Sequence, residues 1–127
     1  MSGNVTALRP KERVRLDADP IASIYRDLGT SAAEQVVTRA LGELALTMAG
    51  LAEQMRMRDF NDLHRQLRRL QRMAEHLGMV SLGVIAAEMR LCADRNDPTA
   101  FSAVWARLMR IAERSLATDK DLLDRSL

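Results

Sequence analysis

Apolar residues recur every three or four positions along most of this chain, which is the spacing of one face of an α-helix. The most regular series runs through residues 31–57, at spacings of 4, 3, 4, 3 and 4. Such regular alternation predicts a long helix that packs at a shallow angle against another helix. Its apolar positions are Val37, Leu41, Leu44, Met48, Leu51 and Met55.

The same periodicity predicts a short leading helix at 20–28 and three further long helices at 59–77, 80–95 and 98–117. The connections are only a few residues long, so consecutive helices are expected to run antiparallel. We therefore predict an all-α fold, an antiparallel four-helix bundle with a short leading helix. The residues expected to be buried in it are Leu44, Met48, Leu63, Leu67, Leu70, Ile85, Met89, Trp105 and Leu108.

Local signals place the ends of these helices. Helix starts are typically marked by a Ser or Asp cap, by a capping box of Ser and Glu, or by proline at the first helical position. Helix ends are typically marked by glycine. The predicted start signals are Asp19 with Pro20, Ser31 with Glu34, Asp59, Ser81, and Asp97 with Pro98, and the predicted stops are Gly29 and Gly78.

A chain of 127 residues fits one domain, which we place at residues 19–117. Residues 1–18 are polar, contain Pro10 and lack a sustained period, so they are interpreted as a flexible basic N-terminal arm. A solubilising tail is favoured for this arm over contact with an acidic partner. Residues 118–127 are expected to form a C-terminal tail.

Composition bears on the fold class and on the cellular compartment of the protein. Aromatic residues make up only 3% of the chain, which favours helices over sheets. The single cysteine, Cys92, cannot form an internal disulfide, and the first residues lack the apolar run of a signal peptide. No stretch approaches the roughly 20 apolar residues that span a bilayer. We therefore expect a cytoplasmic protein with no membrane segment.

The residues that usually carry enzyme chemistry are scattered. His64, His76 and Cys92 do not form a metal-ligand pattern, the glycines do not form a phosphate-binding loop, and no serine or cysteine has a recognisable base beside it. We therefore predict no enzyme activity, no cofactor and no metal.

Positive charge is concentrated on the third predicted helix, residues 59–77. Asn61, Arg65, Arg68 and Arg72 recur at spacings of 4, 3 and 4 on the side opposite its leucines. His64 and Glu75 border this row, and His76 flanks it. Taken alone, such a row is more often a solvated surface than a binding site. Nucleic-acid binding is disfavoured because the net charge is only +2 and aromatic residues for base stacking are few.

The order of these elements resembles that of histidine-containing phosphotransfer (HPt) domains, the four-helix bundles of bacterial phosphorelays. The resemblance covers residues 19–117 and is most specific in DFNDLHRQLRRLQRMAEHLGM. Leu70, Ala74 and the pair Leu77 and Gly78 match the motif of that family. The resemblance implies that Arg68 stands in place of the phosphorylated histidine, Gln71 in place of a lysine and Arg72 in place of a glycine.

These replacements remove the chemistry of the family. An arginine keeps its proton at neutral pH and is not a nucleophile, whereas a neutral imidazole can accept a phosphoryl group. Glutamine brings no charge to balance phosphate, and an arginine side chain crowds a surface that glycine would leave open. The resemblance therefore implies a degenerate member of the HPt family that lacks its phosphoacceptor histidine.

On this reading the protein is a non-catalytic interaction module that docks a response-regulator receiver domain or another acidic signalling protein. Its predicted partner-binding residues are His64, Arg65, Arg68, Gln71, Arg72 and Glu75. The alternative is true phosphotransfer through a displaced histidine, either His64 or His76. The sequence is also compatible with association of two copies of the chain.

Overall fold

The computed structural model describes residues 13–126, with side chains described as far as Asp119. Within these limits the chain forms five helices and no strand, so the predicted all-α class is confirmed there. The helices are α1 (Asp19–Leu28), α2 (Thr30–Met57), α3 (Leu63–His76), α4 (Val80–Ala93) and α5 (Pro98–Ser126).

The four long helices surround one apolar core. Helix α3 packs most closely on α4 and α4 on α5, while α2 contacts both α3 and α5, and the short α1 lies against α2. Eight of the nine residues predicted to be buried are buried, as expected. Trp105 is the exception, since it is only half-buried and packs at the edge of the core. The described residues therefore form a helical bundle.

The start of α3 was predicted four residues too early. The Asp59 carboxylate accepts a hydrogen bond from the Asn61 amide at 3.1 Å and so stabilises a turn rather than the helix start. Asp62 then adopts a left-handed conformation, with φ of 65°, immediately before Leu63. Phe60, which the predicted range 59–77 included in the helix, lies in this turn. Its ring packs edge-to-face on that of Phe101 in α5, with 5.8 Å between the ring centroids.

Of the other predicted helix starts and stops, some are confirmed and some are wrong. Gly29 ends α1 with φ of 80°, and the Asp97 carboxylate accepts a hydrogen bond from the Ala100 amide at 3.1 Å, both as predicted. No side-chain cap forms at the start of α2, so the capping box of Ser31 and Glu34 was wrong. Asp19 does not cap α1 either, since its own amide donates to the Asp17 carboxylate at 3.0 Å.

A short N-terminal segment, residues 13–17, pairs with the connection between α3 and α4. The Asp17 amide donates to the Gly78 carbonyl at 2.7 Å, and the Arg15 amide donates to the Ser81 hydroxyl at 2.7 Å. Ser81 is therefore occupied by this segment and does not cap α4. Leu16 lies opposite Met79 in a single antiparallel bridge, and the side chains of Val14 and Leu16 pack on the core. The packed part of the chain thus begins before residue 19, while the rest of the predicted arm, 1–12, lies outside the described residues.

Helix α5 continues to Ser126 instead of ending at 117, so most of the predicted C-terminal tail is helical. Two polar side chains lie on its buried side one turn apart, Ser115 and Asp119. Ser115 Oγ and Asp119 Oδ2 have no hydrogen-bond partner among the described residues. Burial raises the pKa of the Asp119 carboxyl from 3.8 to about 6.

Replacing Asp119 with asparagine is expected to increase stability relative to the wild type, and to do so more at pH 8 than at pH 4. Because its pKa is higher in the folded chain than in the unfolded chain, the stability that Asp119 contributes is fully present below pH 3.8 and is lost as the pH rises through about 6. Asparagine cannot ionise, so the variant should gain about 1 to 3 kcal/mol on the wild type between the two pH values.

Urea unfolding of both proteins at pH 4 and pH 8 measures this difference. Asp27→Asn, at an exposed position on α1, controls for the loss of one surface negative charge. A stability difference for Asp119→Asn that stays constant across this range would contradict a buried, destabilising carboxylate.

Candidate protein-docking face on the third and fourth helices

Helix α3 lies between α2 and α4, and two contacts fix its orientation against α4. A Cβ atom built on Gly83, near the start of α4, would lie 3.5 Å from Glu75 Cγ near the end of α3. At the other end, His64 Nε2 lies 2.8 Å from the Asp94 carboxylate, just beyond the end of α4. The two helices therefore run antiparallel, and at Gly83 the side chain of Glu75 lies against α4 where no side chain intervenes.

The predicted arginine row lies on the outer side of α3. Arg65, Arg68 and Arg72 are all exposed, whereas Leu67 and Leu70 on the opposite side are completely buried. Asn61 is exposed but precedes the helix, so it does not belong to the row, contrary to the sequence pattern. The row therefore consists of three arginines over two helical turns.

The three arginines differ in their partners. Arg65 forms an ion pair with Asp62 at 2.8 Å, at the start of its own helix. Neither Arg68 nor Arg72 forms an ion pair with any residue in the described part of the chain. The unbalanced positive charge of the row is thus concentrated at Arg68 and Arg72.

The acidic and histidine positions beside the row are also exposed. His64 is held by Asp94 across the α3–α4 contact, while His76 lies exposed in the last turn of α3. Glu75 lies over Gly83, where its side chain covers the close contact between the helices. The sequence pattern placed all three beside the arginines, but only His64 has an ion-pair partner among the described residues.

Gln71 differs from the other predicted binding residues. Its side chain is half-buried, and its Oε1 atom is buried without a hydrogen-bond partner in the described part of the chain. Arg90, half-buried on α4, likewise has a buried Nε atom that lacks a partner there. The carbonyl oxygen of the Gln71 side chain is therefore turned toward the protein and away from an outside surface.

Two exposed apolar residues lie on the neighbouring helix. Leu91 and Val84 of α4 are 58% and 55% exposed and stand seven residues apart, so they share one side of the helix. Each follows directly in sequence a residue on the side of α4 that meets α3, Gly83 or Arg90, and so lies about 100° further around the helix. We call Arg65, Arg68, Arg72, Val84 and Leu91 together the α3–α4 face.

Sequence reasoning missed the contribution of α4 to this face. The signal was present, because Gly83, Arg90 and Asp94 recur at helical spacing and mark the side that meets α3. The next positions around the helix, Val84 and Leu91, must then lie outside that contact. Recognising them required knowing which helix pairs with α3, which periodicity alone does not show.

Comparison with family models, with characterised proteins and with solved structures finds no match for this chain. None of the described helices combines the length and apolarity needed to cross a bilayer. In the same part of the chain, no three His, Cys, Asp or Glu side chains converge as metal ligands would. The α3–α4 face is thus a charged and apolar surface without a metal-ligand set.

Proposed function

We propose that this protein is a non-catalytic, HPt-like signalling module that docks an acidic partner through the α3–α4 face. The partner expected from the resemblance is a receiver domain of a response regulator, in a cytoplasmic bacterial signalling pathway. The single observation that carries the proposal is the exposed Arg68, unpaired within the described chain, at the position where the resemblance calls for the phosphoacceptor histidine.

Charge supports an acidic partner. An arginine guanidinium binds carboxylate or phosphate oxygens through two parallel hydrogen bonds, and the resemblance implies a receiver with an acidic pocket around its phosphorylated aspartate. Arg68 and Arg72 are free to form such contacts, whereas Arg65 would first have to leave Asp62. We therefore place Arg68 and Arg72 at the centre of the interface and Arg65 at its rim.

The exposed apolar residues support a protein partner. Interfaces usually combine an apolar centre with a polar rim, and charge complementarity mainly accelerates encounter and sets specificity. Leu91 and Val84 supply exposed apolar surface on α4, the helix that packs against α3.

The HPt arrangement of the bundle is part of the same proposal. It is supported by the contacts of α2 with α3 and α5, of α3 with α4 and of α4 with α5, which place the four long helices around one core. Phosphotransfer through His64 is less well supported than docking, because His64 Nε2 is engaged by the Asp94 carboxylate. That negative charge would repel an incoming phosphoryl group, which is itself anionic.

Replacing Arg68 with glutamate is expected to weaken binding of a receiver domain at least tenfold while leaving the unfolding midpoint nearly unchanged. The substitution reverses the charge at an exposed position that has no ion pair within the described residues, so the fold should tolerate it. Isothermal titration calorimetry against each purified receiver domain of the source genome measures the effect.

The matched control is Arg26→Glu, which makes the same charge change at an exposed position on α1. It should bind as the wild type does. Equal weakening by both variants would show a general charge effect and contradict a specific face. Transfer of phosphate from a phosphorylated receiver to the wild type, lost in either His64→Gln or His76→Gln, would instead establish the phosphotransfer alternative.

A further inference from the structure

A second row of exposed residues runs along α2, on the side opposite its buried positions Val37, Leu44 and Leu51. Leu46 at its centre is 74% exposed, and Met57 near its end is 61% exposed. We call this set the outer row of α2. Its members, all exposed, are Gln35, Arg39, Gly42, Leu46, Ala49, Gly50, Glu53 and Met57.

Two glycines of the outer row have no packing role within the protomer. A Cβ atom built on Gly42 or Gly50 would meet nothing within 4 Å. A glycine inside a helix costs about 0.5 to 1 kcal/mol relative to alanine, and here no contact in the bundle offsets that cost. Bare backbone on either side of Leu46 leaves room for another helix to approach closely.

The outer row is complementary to itself when two copies of α2 run antiparallel. With Leu46 at the two-fold axis, positions at equal distances before and after it face each other. Gly42 then lies opposite Gly50, four residues to either side, and Arg39 lies opposite Glu53, seven residues to either side. The pairing therefore joins opposite charges at both ends and matches small residues beside the central leucine.

We propose that a second copy of this chain packs antiparallel against the outer row of α2, with Leu46 at the two-fold axis and Arg39 of each copy against Glu53 of the other. The row from Gln35 to Met57 is about 33 Å long at a rise of 1.5 Å per residue. Both carboxylate oxygens of Glu53 accept hydrogen bonds from Arg56 of its own helix. Both side chains are exposed, and an exposed pair of this kind contributes only about 1 kcal/mol or less, so Glu53 can turn to Arg39 of the second copy.

The strength of this dimer follows from its size. One pair of helices buries less than the roughly 800 Å² per partner of a standard stable interface, so the dissociation constant is expected in the micromolar range. The outer row lies on α2, apart from the α3–α4 face. The dimer is therefore independent of the proposed function, and either can fail without the other.

The first test is sedimentation equilibrium of the full chain over concentrations up to about 500 μM. The wild type should dimerise, and Leu46→Glu should raise the dimer dissociation constant at least tenfold, because it places two like charges at the axis. The control Leu91→Glu makes the same change at an exposed leucine of α4 and should leave association unchanged.

The second test uses the charged pairs. Arg39→Glu alone sets a new glutamate against Glu53, and Glu53→Arg alone sets a new arginine against Arg39, so each variant should dimerise at least several-fold more weakly than the wild type. The double variant, Arg39→Glu with Glu53→Arg, restores opposite charges at both ends of an antiparallel pair and should dimerise about as strongly as the wild type. A parallel pair would bring each position against itself, so like charges would meet in all four proteins.

Several outcomes would overturn the proposal. A wild type that stays monomeric throughout the concentration series removes the dimer, and a dimer that Leu46→Glu leaves intact must use another surface. Loss of association in Leu91→Glu would move the interface to α4. Failure of the double variant to associate more strongly than either single variant would exclude the antiparallel pairing of Arg39 with Glu53.

Discussion

Replacing Leu67 with alanine is expected to lower the free energy of unfolding by about 2 to 5 kcal/mol. Leu67 is completely buried on the inner side of α3, in the core that the four long helices share. Removing its branched end takes away apolar burial and leaves a cavity that the neighbouring helices can fill only in part. Urea unfolding monitored by circular dichroism measures the loss, with the denaturant slope unchanged if the folded and unfolded states stay the same.

Leu91→Ala is the matched control because it removes the same atoms from an exposed leucine. It should change stability by no more than about 0.5 kcal/mol. Similar effects of the two variants would mean that Leu67 does not lie in a close-packed core. The comparison separates the structural side of α3 and α4 from the α3–α4 face, which is expected to act in binding.

The helices were predictable because their signal is local and repeated. Leu63, Leu67 and Leu70 recur at helical spacing, and each repetition adds independent support for the same buried side. Helix ends were less predictable, because a short polar side chain can stabilise either a helix start or a turn. Asp59 illustrates this ambiguity, since its carboxylate holds the turn at Asn61 while α3 begins at Leu63.

The exposure of the arginine row was predictable from one helix, whereas its surroundings were not. Arg65, Arg68 and Arg72 must face away from buried leucines on the same helix. The ion-pair partner of each arginine depends on the conformation of nearby turns and on the neighbouring helices. Arg65, for example, pairs with Asp62 in the turn that precedes α3. The half-buried position of Gln71 likewise follows from the nearness of α4.

The pairing of residues 13–17 with the α3–α4 connection was also beyond the sequence pattern. Val14 and Leu16 give only two apolar positions at alternate spacing, too short a series to indicate an extended segment. The partners of this segment, Met79 for Leu16 and Ser81 for Arg15, lie more than 60 residues away in the chain. One residue of this contact, Gly78, did stand out in the sequence, but it was predicted only to end a helix.

Replacing Gly78 with alanine is expected to destabilise the protein by about 2 to 4 kcal/mol and to release residues 13–17 from the bundle. Gly78 has φ of 72°, a conformation that alanine adopts at a cost of about 1 to 2 kcal/mol. An added Cβ atom would also overlap the backbone carbonyl oxygen of Asp17. The backbone must then move, and the hydrogen bond from the Asp17 amide to the Gly78 carbonyl would be lost. Urea unfolding measures the first effect, and hydrogen exchange of the Arg15 and Asp17 amides measures the second.

Two other glycines separate the conformational cost from the steric overlap. Gly29 has φ of 80° but open space around its missing Cβ, so Gly29→Ala should show only the backbone cost. Gly42 lies within α2 with open space and no positive φ, so Gly42→Ala should stabilise the monomer by about 0.5 to 1 kcal/mol. From the most to the least stable, the expected order is Gly42→Ala, wild type, Gly29→Ala and Gly78→Ala. Equal losses at positions 29 and 78, with the Asp17 amide still protected, would show that the N-terminal segment does not press against Gly78.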